Sequence, residues 1–198
     1  MSTINTTQVK ANNPEALLAF TTLTTNNLLS CALNTCNRLP PLNEFIHDFY
    51  NKKNEFPCAV KLFTLIYLLR LKSKLPDNAR GGYDTPYRLF LAAVLTSSKY
   101  LSETGTGLTS VTLSYFTHHL YTPKDINRME RSFLGLIRYD LWVSANDIQS
   151  FMNSYGDLLQ IDISQVNIPE QGTIARCLLP NVTTTNTANN VVSIPYPA

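Results

Sequence analysis

Glycine, cysteine and histidine are scarce in this chain, and their scarcity removes several kinds of chemistry. The seven glycines among 198 residues form neither G-x-x-x-x-G-K-[ST] nor G-x-G-x-x-G, the loops whose small residues let backbone approach a phosphate. Neither G-x-S-x-G nor H-E-x-x-H occurs. No sequence feature supports an enzyme. The four cysteines, Cys31, Cys36, Cys58 and Cys177, are irregularly spaced, with no C-x-x-C pair and no companion histidines. They read as reduced, buried thiols. His118 and His119 adjoin each other, whereas a helical metal pair needs i, i+4 spacing on one face. No metal or other cofactor is expected.

An excess of one charge is also missing. Lys plus Arg number 16 and Asp plus Glu 14, a formal +2, so no global field draws the chain to nucleic acid or to an anionic membrane. Neither is expected as a partner. The longest strictly apolar run, residues 89–95, falls far short of the roughly 20 residues a membrane helix needs. The Thr/Asn-rich residues 1–10 contain no apolar signal core. A soluble, intracellular protein is the expectation.

Strand-like alternation is scarce, and between about residues 13 and 158 the apolar spacing is helical almost throughout. The chain reads as all-α and, at this length, as one domain. We divide it into a flexible N-terminus (1–12), a helical body (13–158) and a mostly irregular C-terminal tail (159–198). The tail has no acidic residue after Glu170, no basic residue after Arg176, and TTTNTANN at 183–190. Asn13-Pro14-Glu15 opens a helix running to about residue 33. A short amphipathic segment at 42–50 carries Leu42, Phe45, Ile46 and Phe49 on one stripe. The next helix begins near Pro57 and ends by Pro76, and residues 77–84 form a loop around Gly81-Gly82. Residues 85–103 and 122–143 each open with Thr-Pro, which suits a capping hydroxyl followed by proline at the first helical position. Ser144 and Asp147 repeat the capping logic for a last helix that Gly156 helps to end.

Residues 89–95 leave no polar side, so this helix should sit at the centre of the others. On the 122–143 helix, Ile126, Met129, Phe133, Leu136 and Ile137 form the core stripe. Glu130, Leu134 and Leu141 share its edge. A carboxylate flanked by leucines is what an interface with one paired charge requires, and a solvated edge glutamate is the alternative.

Two stretches carry more specific information. RLFLAAVLTSSKYL at 88–101 resembles R-x-L-x-x-x-x-x-x-A-A-K-[FY]-L, and NRMERSFLGLIRYDLWV at 127–143 resembles N-x-[LM]-E-x-x-F-L-x-x-L-x-[FY]-x-L-x-V. Both patterns belong to the cyclin box, and the chain is similar to the single-box cyclins of the fungal phosphate-pathway (Pho-type, Pcl-like) group over roughly residues 57–151. The resemblance implies a box of about five helices, here with an additional N-terminal helix and a C-terminal tail. It also implies a regulatory subunit that binds and activates a cyclin-dependent kinase of the phosphate-pathway type in cytoplasm and nucleus, acting on that kinase's substrates. Carried over residue by residue, Lys99 and Glu130 become polar anchors for the kinase's regulatory helix. Tyr100, Leu134 and Leu141 take apolar contact positions, and Thr96 takes one that is often larger and apolar.

Some family features are missing. Leu69 stands where the family usually has an aspartate paired with an arginine. Residues 42–50 lack the M-R-x-[IL]-L substrate-docking pattern, and Ser102 replaces an acidic residue common in cyclins. A scaffold that binds a regulatory protein without activating a kinase is the alternative, because the box is a helical surface and fold alone does not choose. Two features stay open at this level. Arg70, Lys72, Lys74 and Arg80 form a basic cluster, either a solvated helix end or a contact for phosphate or an acidic partner. Trp142 is either an interface anchor or a cover for a helix junction.

Overall fold

The structure, a computed structural model, describes residues 3–32, 39–51, 56–102 and 107–169. Its helices are α1 (Pro14–Asn26), α2 (Leu42–Asn51), α3 (Cys58–Lys74), α4 (Thr85–Leu101), α5 (Ser110–Phe116), α6 (Pro123–Leu136) and α7 (Ala145–Leu159). Four strands accompany them: β1 (Thr3–Ala11), β2 (Ser30–Cys31), β3 (Arg80–Gly81) and β4 (Ile161–Pro169).

α4 is the central element, as its uniformly apolar middle demands. Residues from Phe90 to Leu95 are all buried, and the helix packs against α3, α6, α5 and α1. Ala92 and Ala93 keep the helix slim where its neighbours approach. Two hydroxyls in this contact are hydrogen-bonded. Thr64 of α3 donates to Ser97 of α4 at 3.3 Å, and Ser97 donates to the Ala93 carbonyl at 2.8 Å. α2 buries its predicted stripe, Leu42, Phe45, Ile46 and Phe49. Its rings meet those of α4 edge-on, with Phe45 to Tyr87 at 5.1 Å and Phe49 to Phe90 at 5.5 Å between centroids.

Several boundaries differ from the sequence reading. α1 stops at Asn26 instead of near residue 33. The hydroxyls of Thr21, Thr22 and Thr25 bond back to carbonyls four residues earlier, a habit that weakens helices. Leu28 then turns into the core, and Ser30 and Cys31 pair in parallel with Arg80 and Gly81. At α4, Thr85 lies in the first turn and does not cap it. The preceding Asp84 makes no side-chain cap and instead holds Arg88 at 2.6 Å.

α6 is capped by Thr122 as expected, in a capping box completed by Asp125, but ends at Leu136, seven residues before the predicted end at residue 143. Leu136 is exposed, so the core stripe of α6 is Ile126, Met129 and Phe133, with Ile137 buried at the cap. Ser144 and Asp147 form the predicted capping box of α7. Gly156 lies buried inside that helix, and the chain leaves through Gln160 in the left-handed conformation, φ 48°.

The ends of the chain depart most from expectation. Residues 3–11, read as part of a flexible terminus, and residues 161–169, read as irregular tail, pair antiparallel from Thr3↔Pro169 to Ala11↔Ile161. The sheet is stable at its base because Ile161 is buried and Val9 and Ala11 pack against the core, while Lys10 and Asp162 face each other on the exposed side. The Thr/Asn-rich stretch at 183–190 lies outside the described residues.

Candidate functional site

α4 and α6 cross so that the last turn of one meets the middle of the other. Lys99, in the last turn of α4, extends along a favourable helix C-terminus. Its Nζ donates to Oε2 of Glu130 at 2.7 Å. The pair is asymmetric: the Glu130 side chain retains 11% of its accessible surface and Lys99 47%. The glutamate is therefore not a solvated edge residue. Its desolvated carboxylate depends on a lysine whose ammonium stays in reach of a partner, with one of its three donors spent on Glu130.

Apolar groups surround the pair. Tyr100 is exposed beside Lys99, with its ring 5.9 Å from Phe63 and 6.3 Å from Tyr67 of α3. Leu134 is half-buried one turn beyond Glu130 on α6. Leu141 is also half-buried, but it lies past the helix end, so the wheel that grouped it with Glu130 and Leu134 does not apply to it. Its carbonyl accepts a hydrogen bond from the Tyr67 hydroxyl at 3.0 Å, which ties its backbone to α3. Thr96 is 3% exposed, and its Oγ1 has no hydrogen-bond partner among the described residues. Buried in this way, it offers almost no surface to a partner.

Three members of the basic cluster, Arg70, Lys72 and Lys74, are spent on internal ties, while Arg80 is exposed. Arg70 bonds the Asp140 carbonyl at 2.9 Å and the carboxylates of Asp140 and Asp147 at 3.3 and 3.1 Å. Lys74 reaches the Ile137 carbonyl and Asp140 Oδ2, each at 2.7 Å, and Lys72 donates to the Leu28 carbonyl. Leu69, at the position of the missing aspartate, packs half-buried against the core. The connection of α6 to α7, residues 137–144, is thus pinned to α3. Sequence spacing gave no hint of this, since the partners lie about seventy positions apart. The hydrogen-bonded Ile137 amide and the left-handed Arg138 and Tyr139 (φ 56° and 53°) mark where the helix is turned off.

Trp142 is 63% exposed. His118 and His119 both have left-handed backbone, with His119 Nδ1 3.3 Å from Ser114 Oγ. Among the described residues no three of His, Cys, Asp or Glu are grouped as metal ligands, and no helix is long and apolar enough to cross a membrane. The arrangement offers one ion pair, its carboxylate nearly buried and its ammonium half exposed, beside the exposed ring of Tyr100.

The chain is similar to three curated proteins of Saccharomyces cerevisiae. It is 34% identical to PHO85 cyclin-1 over 111 residues, which are 56% of this chain and 39% of that protein. With PHO85 cyclin-2 it shares 25% identity over 131 residues, covering 66% and 40% respectively. With PHO85 cyclin-9 it shares 27% over 111 residues, covering 56% and 36%. The chain thus spans about two-fifths of the length of these relatives. No family model matches it, and no solved structure does.

Proposed function

We propose that this chain, similar to three PHO85 cyclins, is a regulatory subunit that binds and activates a cyclin-dependent Ser/Thr kinase of the phosphate-pathway type. The observation that carries the reading is the Lys99–Glu130 pair, with its lysine half open to solvent, and we assign Tyr100, Leu134 and Leu141 to its apolar rim. A backbone segment of the kinase's regulatory helix, laid across this rim, meets an ammonium donor and a carboxylate acceptor at its polar groups and aliphatic surface elsewhere. Held inward, that helix presents its glutamate to the lysine that orients ATP, an arrangement active kinases require. All phosphoryl chemistry then belongs to the partner, and this chain contributes position. Its place of action is the cytoplasm and nucleus, where the kinase's substrates lie.

The test is affinity purification of the full chain from fungal extract, with identification of the kinase that copurifies, in parallel with Glu130→Ala. The proposal expects a cyclin-dependent kinase with the parent chain and its loss with the variant, whose circular dichroism stays helical. Equal recovery by both chains contradicts the assigned surface. Recovery of a non-kinase regulator alone replaces activation with scaffolding.

A further inference from the structure

Residues 137–144 connect two helices yet are held more firmly than most connections. Lys74 fixes the start through the Ile137 carbonyl, Arg70 and Lys74 together grip Asp140, and Tyr67 holds the Leu141 carbonyl. Arg70 also bonds Asp147 in the first turn of α7. Ile137 and Val143 are buried at either end. Two successive non-glycine residues in the left-handed region are costly, and these ties hold them there.

A connection so constrained nevertheless displays Tyr139 at 67% and Trp142 at 63% exposure. Trp142 is the chain's single tryptophan. Large aromatics on a prefolded loop bind with little ordering cost, and tryptophan is enriched among residues that dominate interfaces. The loop also adjoins the surface built around Lys99. Leu141 sits beside Trp142 in sequence and is bonded to Tyr67, whose ring neighbours that of Tyr100. Each Asp140 carboxylate oxygen is engaged, Oδ1 by Arg70 and Oδ2 by Lys74, so the aspartate is spent on holding the loop. What Trp142 presents to a partner is apolar.

We propose that Trp142 is a second anchor of the kinase contact, seated in an apolar recess of the kinase, and that Arg70 and Lys74 are positioning residues that hold it ready. The inference rests on the kinase reading above, and it adds a contact that the Lys99–Glu130 pair does not need.

The experiment uses the full chain carrying 5-fluorotryptophan, which gives one ¹⁹F resonance because there is one tryptophan. Saturation with the purified kinase that the parent chain recovers should shift and broaden that resonance. Trp142→Ala and Trp142→Lys should each weaken kinase binding at least tenfold with an unchanged thermal midpoint. Arg70→Gln should broaden the free-state resonance and weaken binding. Added to Trp142→Ala, it should weaken binding no further, the mark of a residue acting through the tryptophan. An unshifted resonance at saturation, or full affinity in both Trp142 variants, overturns the inference while leaving the Lys99–Glu130 contact standing. A further loss in the double variant as large as in Arg70→Gln alone overturns the positioning role. Failure of the parent chain to bind any kinase removes both readings together.

Discussion

The Tyr67 hydroxyl donates to the Leu141 carbonyl at 3.0 Å, joining the middle of α3 to a connection 74 residues later. Burial raises the Tyr67 pKa, with the neighbouring Tyr100 raising it further. The group therefore remains a neutral donor throughout the physiological range. Tyr67→Phe keeps the ring against Phe63 and Tyr100 and removes the donor alone. It should cost about 1 kcal/mol in urea unfolding, the net worth of a typical internal hydrogen bond, and should speed amide exchange at Leu141 and Trp142. Unchanged exchange there would mean that the bond does not hold the loop.

Removing charge from the Lys99–Glu130 pair should act on binding more than on folding. Truncating one partner of a desolvated polar site typically costs about 2 to 5 kcal/mol of association. Lys99→Met should show the larger loss of stability, because it leaves the nearly buried Glu130 carboxylate without its cation. Glu130→Gln keeps the shape and leaves Lys99 half solvated. Calorimetric titration against the kinase, beside thermal unfolding of each variant, separates the two effects.

Acid should loosen the α6–α7 region. Asp140 is held below the usual carboxylate range by its hydrogen bond to Lys74 and by Arg70. Asp147 is lowered first by the Ser144 backbone amide, then by its hydroxyl and Arg70. Asp125 is lowered by its bonds to Thr122. A carboxylate with a depressed folded pKa stabilises above its unfolded value, about 3.9 for aspartate, and that contribution is lost as pH falls through the folded value. Thermal midpoints should therefore drop as pH falls below about 4, and the drop should be smaller in Lys74→Met. An identical acid profile in that variant would contradict the ion-pair account.

The two chain ends make separable contributions. Deleting residues 164–198 removes the partners of Thr3 through Gln8 but leaves Ile161, Asp162 and Ile163 paired with Ala11, Lys10 and Val9. Kinase activation should survive, with fast amide exchange over residues 3–8. Extending the deletion to residue 161 removes a buried isoleucine and should cost about 2 kcal/mol or more. Loss of activation in the shorter deletion, with the helices intact, would place part of the kinase contact beyond residue 163.

How much of this was legible depended on range. Signals confined to one helix read well: the Thr122 cap, the Ser144-Asp147 box, the apolar middle of α4, and the stripe of α2 all stand where their spacing put them. Lys99 and Glu130, 31 residues apart, were linked by resemblance and are joined in the structure. What escaped was set by contacts without a local period. The end of α6 is decided by Lys74 and Arg70 of another helix, so the apolar residues beyond Leu136 mimic a continued stripe. β1 and β4 pair across some 150 positions. Ile161 and Ile163 flanking Asp162 were the available hint, too short to stand against a polar tail. The burial of Thr96 and the exposure of Trp142 depend on tertiary packing alone.

The most direct measurement is phosphorylation of a generic Ser/Thr-Pro peptide by the purified kinase, alone, with the parent chain, and with Leu134→Arg. Alignment of the catalytic groups is a condition for turnover, so the parent should raise the rate by orders of magnitude. The arginine, placed in the apolar rim beside Glu130, should abolish that gain while the thermal midpoint stays close to the parent's. A kinase that binds the parent without gaining activity, or that Leu134→Arg activates fully, contradicts the account.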